Sequence, residues 1–208
     1  MMVEAKRDPD FAAVLARADV VTPDGMPLVW LMRRRGVPTQ QRVAGMDLLP
    51  ALCRSAAGKG IAVFFLGSTT ATLAAIRQRL TEELPELEIA GMESPPFRPL
   101  TAAEDEGVVR RIAQSGAGFL FVGLGCPKQE RWMDSHRNRV PGVMVGLGGA
   151  FPVYAGLDRR APRLLQGVGL EWAFRLAREP RRLWRRYLVT NTLFLWYQVA
   201  DWFRKNVT

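Results

Sequence analysis

The segment IAVFFLGSTTATLAAIRQRLTEEL, residues 61–84, joins a short apolar run to a helical pattern through a glycine and three hydroxyl residues. Residues 61–66 are continuously apolar, which is typical of a buried strand. From Thr70 to Leu84 the apolar residues recur at helical spacing, and Ser68-Thr69-Thr70 provides a cap for the start of that helix. The segment therefore predicts a strand, a turn and a helix, which together begin a βαβ unit.

The same alternation continues on both sides of this segment. Short apolar runs predict further buried strands at 19–22, 87–90, 119–123 and 143–147, and helical spacing predicts helices at 47–57, 102–114 and 127–139. Strands that alternate with helices assemble into a largely parallel sheet. We therefore expect an α/β fold: a Rossmann-like, largely parallel sheet flanked by helices, with a C-terminal helical appendage.

The appendage follows from a change of pattern after Leu147, where no clear strand is predicted. Pro162 and Pro180 interrupt this part of the chain and predict one helix over about 163–178 and a second over about 181–203. We expect a Rossmann-like domain over residues 1–160, and a basic, amphipathic helical appendage over 161–208.

Positive charge is concentrated in this appendage. The chain has 29 Lys and Arg against 20 Asp and Glu, a net charge of +9, and residues 171–187 alone hold six arginines and two glutamates. Tryptophan, tyrosine and leucine lie between these arginines, which favours an anionic membrane surface over nucleic acid. Polar residues interrupt the apolar stretch 183–203, so an interfacial helix is predicted there instead of a membrane span. A solvated basic helix face is the alternative.

Composition disfavours several site classes. Two cysteines and one histidine form neither a disulfide framework nor a zinc-ligand pattern, so no metal site is expected. The turn after residue 66 lacks both the dinucleotide G-x-G-x-x-G and the P-loop G-x-x-x-x-G-K-[ST] motifs. We expect no cofactor.

Asp24 and Arg42 are the first candidate site residues. The Pro-Asp-Gly turn after the strand predicted at 19–22 brings a carboxylate to the carboxyl edge of the sheet, where a general base would lie. Arg42 precedes a helix start and is suited to a diphosphate. Pro-Asp-Gly is also an ordinary turn sequence and a lone arginine is often a surface residue, so both alternatives stay open.

Glycine-bearing turns at the same predicted edge form the second set of candidates. They end strands, allow close approach of backbone to a ligand, and precede helix N-termini, which favour anionic groups. Each turn taken alone is weakly specific. The candidate binding residues are Gly67, Ser68, Lys128, Gln129, Gly148 and Gly149.

Six segments, in order, resemble the WecG/TagA/CpsF family of bacterial glycosyltransferases, glycosyltransferase family 26. They are VVTPDGMPLVW (20–30), RVAGMDLLPAL (42–52), FFLGSTTATL (64–73), GLGCPKQERW (123–132), GLGGAFPVYAG (146–156) and RAPRLLQGVGLEWAFRLAREPRRLWRRYL (160–188). The resemblance runs from about Asp8 to about Leu188. Family members begin with a further strand ahead of the helix that residues 7–19 resemble, and we expect that strand to be missing here.

The resemblance implies an inverting transfer of a sugar, N-acetylmannosamine-type or glucose-type, from a UDP-sugar to a polyprenyl-diphosphate-linked saccharide in cell-envelope or exopolysaccharide biosynthesis. It implies no metal bound through an Asp-x-Asp motif. The resemblance further implies that residues 1–160 are the catalytic domain and that Asp24 is the general base. It implies that Arg42 and Gln129 lie near the diphosphate and the sugar of the donor. The resemblance also implies an appendage that closes the active site with tail arginines, for which the candidates are Arg175, Arg182 and Arg185.

The expected partners are the UDP-sugar, the lipid-linked acceptor and an anionic membrane surface, with the protein peripheral on the cytoplasmic, inner face of the cell membrane. Association into a homo-oligomer stays open, and no nucleic acid is expected. Two other functions remain as alternatives: a non-catalytic, membrane-associated scaffold of a glycan-assembly complex, and a nucleotide-dependent oxidoreductase. The missing dinucleotide motif weakens the second.

Overall fold

The computed structural model describes residues 1–206, without the side chains of residues 182, 186, 195, 199 and 201–206. The chain divides into two compact units, which we call the sheet unit (residues 17–22 and 43–159) and the helical unit (residues 1–16, 23–42 and 160–208). The prediction of a domain boundary near residue 160 stays a prediction.

The elements are numbered in chain order. The helices are α1 (Met2–Arg7), α2 (Pro9–Arg17), α3 (Met26–Arg34), α4 (Gly45–Ala57), α5 (Thr70–Glu83), α6 (Ala102–Gln114), α7 (Lys128–His136), α8 (Phe151–Tyr154), α9 (Arg163–Gly167), α10 (Glu171–Arg178) and α11 (Pro180–Asn206). The strands are β1 (Val63–Gly67), β2 (Ile89–Glu93), β3 (Phe119–Gly123) and β4 (Val143–Gly146).

The four strands form one parallel sheet in the order β2-β1-β3-β4. Phe65 of β1 pairs with Met92 on one side and with Phe121 on the other. Each parallel connection contains a helix, which confirms the predicted Rossmann-like α/β class. Four of the five predicted strands are present, with β2 displaced toward its carboxyl end.

Alternate residues of the strands supply two hydrophobic clusters, one on each face of the sheet. Phe65 and Phe121 belong to the cluster shared with α4, α5 and α8, and their ring centroids are 5.1 Å apart. Leu66 and Leu120 belong to the cluster shared with α6. Burial on both faces explains why these strands are continuously apolar in sequence.

The fifth predicted strand, at 19–22, is wrong. This segment has no regular structure, and Val20 and Val21 are 78% and 52% exposed. A strand needs a neighbour that accepts and donates its backbone hydrogen bonds, and within residues 1–206 no strand pairs with the outer side of β4. Two adjacent valines were too short a signal for a buried strand.

The helix predicted at 163–178 is interrupted. The chain leaves α9 through Gly169, whose φ of 74° lies in the left-handed region, and α10 begins two residues later. The Leu170 N–H donates to the Leu165 carbonyl at 2.8 Å across this turn. Pro180 then begins α11, at the first helical position, where its missing N–H costs nothing.

Candidate functional site

In the helical unit, Arg42 joins two carboxylates. Its Nη2 lies 2.6 Å from Glu171 Oε2 and 3.3 Å from Asp24 Oδ1, and its Nε donates to the Asp24 backbone carbonyl. The side chains of Arg42 and Glu171 are 16% and 14% exposed, whereas that of Asp24 is 65% exposed. The cluster therefore anchors the backbone of Asp24 and leaves its carboxyl open to a ligand.

Several groups act on the ionisation of Asp24. Partial burial removes water from the Asp24 carboxyl, and this effect, the largest, raises its pKa. The charge and the hydrogen bond of Arg42 lower the pKa, as does the charge of Arg175, whereas the charge of Glu171 raises it. Together these effects leave the pKa of Asp24 above the ordinary value for an aspartate. A carboxylate with a raised pKa accepts a proton more readily, which is the property a general base requires.

The predicted tail arginines have different surroundings. Arg175, in α10, lies near enough to act on the Asp24 carboxyl through its charge. The guanidinium of Arg185, in α11, lies 5.2 Å from the ring centre of Trp184. The side chain of Arg182 lies outside the described residues. A common position for the three arginines stays a prediction.

In the sheet unit, the candidate turns lie at the point where the strand order changes direction. The chain passes from β1 to β2 on one side and places β3 on the other side of β1, and ligands of parallel sheets bind at such points. Gly67 ends β1 with a φ of 107°, and a Cβ there would lie 2.5 Å from the carbonyl carbon of Gly123. A glycine is needed at this close approach.

Ser68 adopts a left-handed conformation, with φ of 64°, that is uncommon for residues other than glycine. Its N–H donates to the Gly123 carbonyl at 3.2 Å, and its own carbonyl accepts from Ser94 Oγ at 2.8 Å. Thr69 caps α5 by accepting the Thr72 N–H. The start of α5 is therefore held in place beside the ends of β3 and β2, in an arrangement suited to an anionic group.

Gln129 joins the turns that follow β3 and β4. It is 6% exposed, and its Oε1 accepts from the Gly125 N–H at 3.2 Å and the Gly148 N–H at 3.3 Å. A Cβ on Gly148 would lie 2.7 Å from that oxygen, so any side chain there would displace the Gln129 amide. The amide nitrogen of Gln129 donates to Glu130. The structure thus brings Gln129 and Gly148 together, while Lys128 and Gly149 are exposed nearby in sequence.

A cavity of about 250 Å³ follows β2. Its polar side is the ion pair of Glu93 with Arg111, at 2.6 Å, and its apolar walls include Leu100 and Val108. Ser94, which also lines it, is the residue that holds Ser68. The cavity can take a group the size of a small ring.

The described part of the chain also bears on metal binding and on membrane spans. No three His, Cys, Asp or Glu side chains there come together in a way that could hold a metal ion. The sequence does contain one Asp-x-Asp triplet, Asp8-Pro9-Asp10, where Asp8 accepts the Phe11 N–H at the start of α2. None of the helices searched is long and apolar enough to cross a membrane.

Three residues of these clusters were not predicted from the sequence. Glu171 is 129 positions from its partner Arg42, and nothing in its local sequence indicates the pair. Ser94 follows β2 and has no motif of its own. Glu130 directly follows a predicted site residue, and burial is the property that distinguishes it.

Comparison with known proteins gives the family. The model of the "Glycosyl transferase WecG/TagA/CpsF family" matches residues 1–208. The chain is 38% identical over 186 residues to an N-acetylglucosaminyldiphosphoundecaprenol N-acetyl-beta-D-mannosaminyltransferase of Bacillus spizizenii, a match that covers 89% of this chain and 70% of that protein. A protein of the same name from Bacillus subtilis is 32% identical over 185 residues, with coverage of 88% and 70%. The resemblance drawn from the six sequence segments is confirmed, and the chain belongs to the WecG/TagA/CpsF family of glycosyltransferases.

Proposed function

We propose that this glycosyltransferase transfers an N-acetylmannosamine-type sugar, with inversion, from a UDP-sugar to a polyprenyl-diphosphate-linked acceptor. The observation that carries the proposal is the exposed carboxyl of Asp24, whose backbone is anchored by Arg42 in a cluster that Arg42 shares with Glu171. The names of both relatives, which state transfer of an N-acetylmannosaminyl group to a diphosphoundecaprenol-linked sugar, support the choice of sugar and acceptor. A glucose-type donor is the second choice.

Asp24 is assigned the role of general base. It takes the proton of the acceptor hydroxyl while the hydroxyl oxygen forms a bond to the anomeric carbon of the donor. The bond from that carbon to the diphosphate oxygen breaks on the opposite side, and UDP leaves with the electron pair. Arg42 and Arg175 offset negative charge on the departing diphosphate, a kind of stabilisation that is often the largest part of catalysis.

We assign binding of the nucleotide part of the UDP-sugar to the turns of the sheet unit. Gly67 and Ser68 precede the N-terminus of α5, and Gly148 lies in the turn bonded to Gln129. The N–H groups of Ser68 and Gly148 are hydrogen-bonded within the protein, so the phosphate is assigned to the first turn of α5, where helix N–H groups bind anions without a metal ion. Lys128 and Gly149, both exposed, are assigned to the same donor.

We further propose that the helical unit binds an anionic membrane surface, where the lipid-linked acceptor lies, on the cytoplasmic inner face. The exposed side of α11 carries Trp184, Leu188 and Trp196 together with the cations Arg181 and Arg185. Aromatic and basic residues in this combination are typical of interfacial helices.

The test is acceptor-dependent release of UDP from a panel of UDP-sugars, with a short-chain lipid-diphosphate N-acetylglucosamine acceptor. Asp24→Asn should lower turnover by roughly 10²-fold or more, because general-base catalysis contributes that much, and should leave UDP affinity unchanged in calorimetry. Asp19→Asn is the matched control, since that side chain is 92% exposed and belongs to the sheet unit.

Retention of most turnover by Asp24→Asn would contradict the assignment of the base. Absence of both transfer and UDP binding in the unaltered protein would contradict the transferase proposal itself. If such a protein still bound anionic vesicles, the scaffold alternative would be favoured.

A further inference from the structure

Glu130 is a buried carboxylate with one oxygen that has no hydrogen-bond partner. The residue is 9% exposed, and its Oε2 finds no donor in the part of the chain that the structure describes. Its Oε1 accepts from Gln129 Nε2 at 2.9 Å. A buried acceptor without a partner weakens a fold, so the position calls for an explanation.

The missing partner has a local cause. Glu130 is the third residue of α7, where a glutamate ordinarily accepts the N–H of the residue that precedes the helix. That residue is Pro127, which has no N–H. The sequence Pro-Lys-Gln-Glu therefore buries a carboxylate that the start of the helix cannot satisfy, and local stability does not account for it.

Glu130 does account for the orientation of its neighbour. Because the Gln129 amide nitrogen donates to Glu130, the amide oxygen is directed at the N–H groups of Gly125 and Gly148. If the Gln129 amide were rotated by half a turn, its NH2 group would face the N–H groups of Gly125 and Gly148, and all of these are donors. The Glu130 oxygen accepts a hydrogen bond from the amide nitrogen, so Glu130 favours the orientation in which Gln129 joins the two glycine turns.

We propose that Glu130 is a positioning residue for donor binding: it orients the Gln129 amide and thereby sets the spacing of the turns that contain Gly125 and Gly148. The inference rests on the proposed function, because the UDP-sugar is the ligand assigned to these turns. In this role the Glu130 carboxylate supports activity, while its unpaired oxygen lowers stability. Such a combination is found at functional sites.

The test separates stability from donor binding. Glu130→Met keeps the length of the side chain and removes both oxygens. It relieves the unpaired Oε2 but leaves the Gln129 amide nitrogen without its acceptor, so the two effects offset each other and the melting temperature should change little. The KM for the UDP-sugar should increase roughly tenfold or more, because small displacements of binding groups are costly, with a smaller change in kcat. Glu130→Gln keeps an oxygen for the Gln129 amide and should restore KM to near the original value. Glu86→Met, on an exposed glutamate of the sheet unit, is the control.

Amide hydrogen exchange tests the same inference without turnover. In Glu130→Met the N–H groups of Gly125 and Gly148 should exchange faster, while the Leu147 N–H, bonded to the Val122 carbonyl at 2.9 Å, should not change. A lower melting temperature with a proportionate loss of activity, or unchanged KM and unchanged exchange, would overturn the inference. If the unaltered protein transfers no sugar, the proposed function fails by itself, and the exchange rates still decide the role of Glu130.

Discussion

Asp24 shows how one side chain acquires its chemistry from neighbours that are distant in sequence. Partial loss of hydration raises its pKa the most; Arg42 and Arg175 lower the pKa, and the charge of Glu171 raises it. Arg42 contacts both carboxylates, so the exposed Asp24 and the largely buried Glu171 share one cation. The second carboxylate keeps the first from being fully neutralised by arginine.

Substitution of Glu171 tests this balance. Glu171→Gln removes the negative charge that raises the pKa of Asp24 but keeps an oxygen for Arg42, so the pKa of Asp24 should fall. The measurement is a titration of the Asp24 carboxyl carbon by NMR, and the same shift should move the acid limb of the pH-rate profile to lower pH, because the base stays ionised further into acid.

Glu179→Gln is the matched control for this titration, since Glu179, although it ends α10, is not among the groups that shift the pKa of Asp24. An upward shift in Glu171→Gln, or none, would contradict the account of the cluster.

Among the elements, α6 has the best-defined start. Thr101 Oγ1 accepts the Glu104 N–H, Glu104 accepts the Thr101 N–H at 2.8 Å, and Arg98 donates twice to the same carboxylate. The hydrogen bonds from Arg98, followed by the one from the Thr101 backbone, lower the pKa of Glu104 to about 2. This arrangement fixes the end of the loop that closes the cavity after β2.

Thr101→Ala should lower the free energy of unfolding by about 1 kcal/mol, the usual cost of losing an N-cap, while Thr101→Ser should lower it little. Urea unfolding at pH 7 and at pH 4 should give the same difference. Glu104, whose pKa is lowered to about 2, stabilises the fold in full above its ordinary pKa of 4.5, and that contribution is lost progressively as pH falls from 4.5 through about 2. At pH 4 most of it remains, in the variants as in the unaltered protein. A difference that disappears at pH 4, or equal losses in both variants, would argue against the capping role.

The elements also show what could be predicted from the sequence. The strands β1, β3 and β4 and the helices α5 and α6 were predictable, because burial on two faces and helical spacing are local patterns. The break at Gly169 and the unpaired segment 19–22 were not, because each depends on a neighbouring element. Asp24 and Gln129 were candidates from the turns that contain them, and the family resemblance gave each its role, although the strand expected before Asp24 is not formed. Glu171 and Glu130 matter through a distant partner and through burial, which no spacing encodes.

At the scale of the whole molecule, the net charge of +9 has one prominent location. Arg181 and Arg185 lie on the exposed side of α11, and apolar residues of the same helix remain exposed beside them. Each cation near an anionic membrane contributes about 1 kcal/mol to binding. Charge alone would therefore give salt-sensitive attraction, and the apolar residues are needed for binding that persists at higher salt.

Replacement of these apolar residues tests the membrane proposal. Trp184, Leu188 and Trp196 are 47%, 60% and 65% exposed and follow one side of α11, so changing all three to Ser removes little packing within the protein. Flotation with phosphatidylglycerol-containing vesicles should fall roughly tenfold or more, because burial of apolar surface contributes ~25 cal/mol per Å², and residual binding should vanish as salt is raised. Phe97→Ser, which removes an 83% exposed apolar side chain from the sheet unit, should float as the unaltered protein does. Unchanged flotation of the triple variant would contradict the assignment of membrane binding to this side of α11.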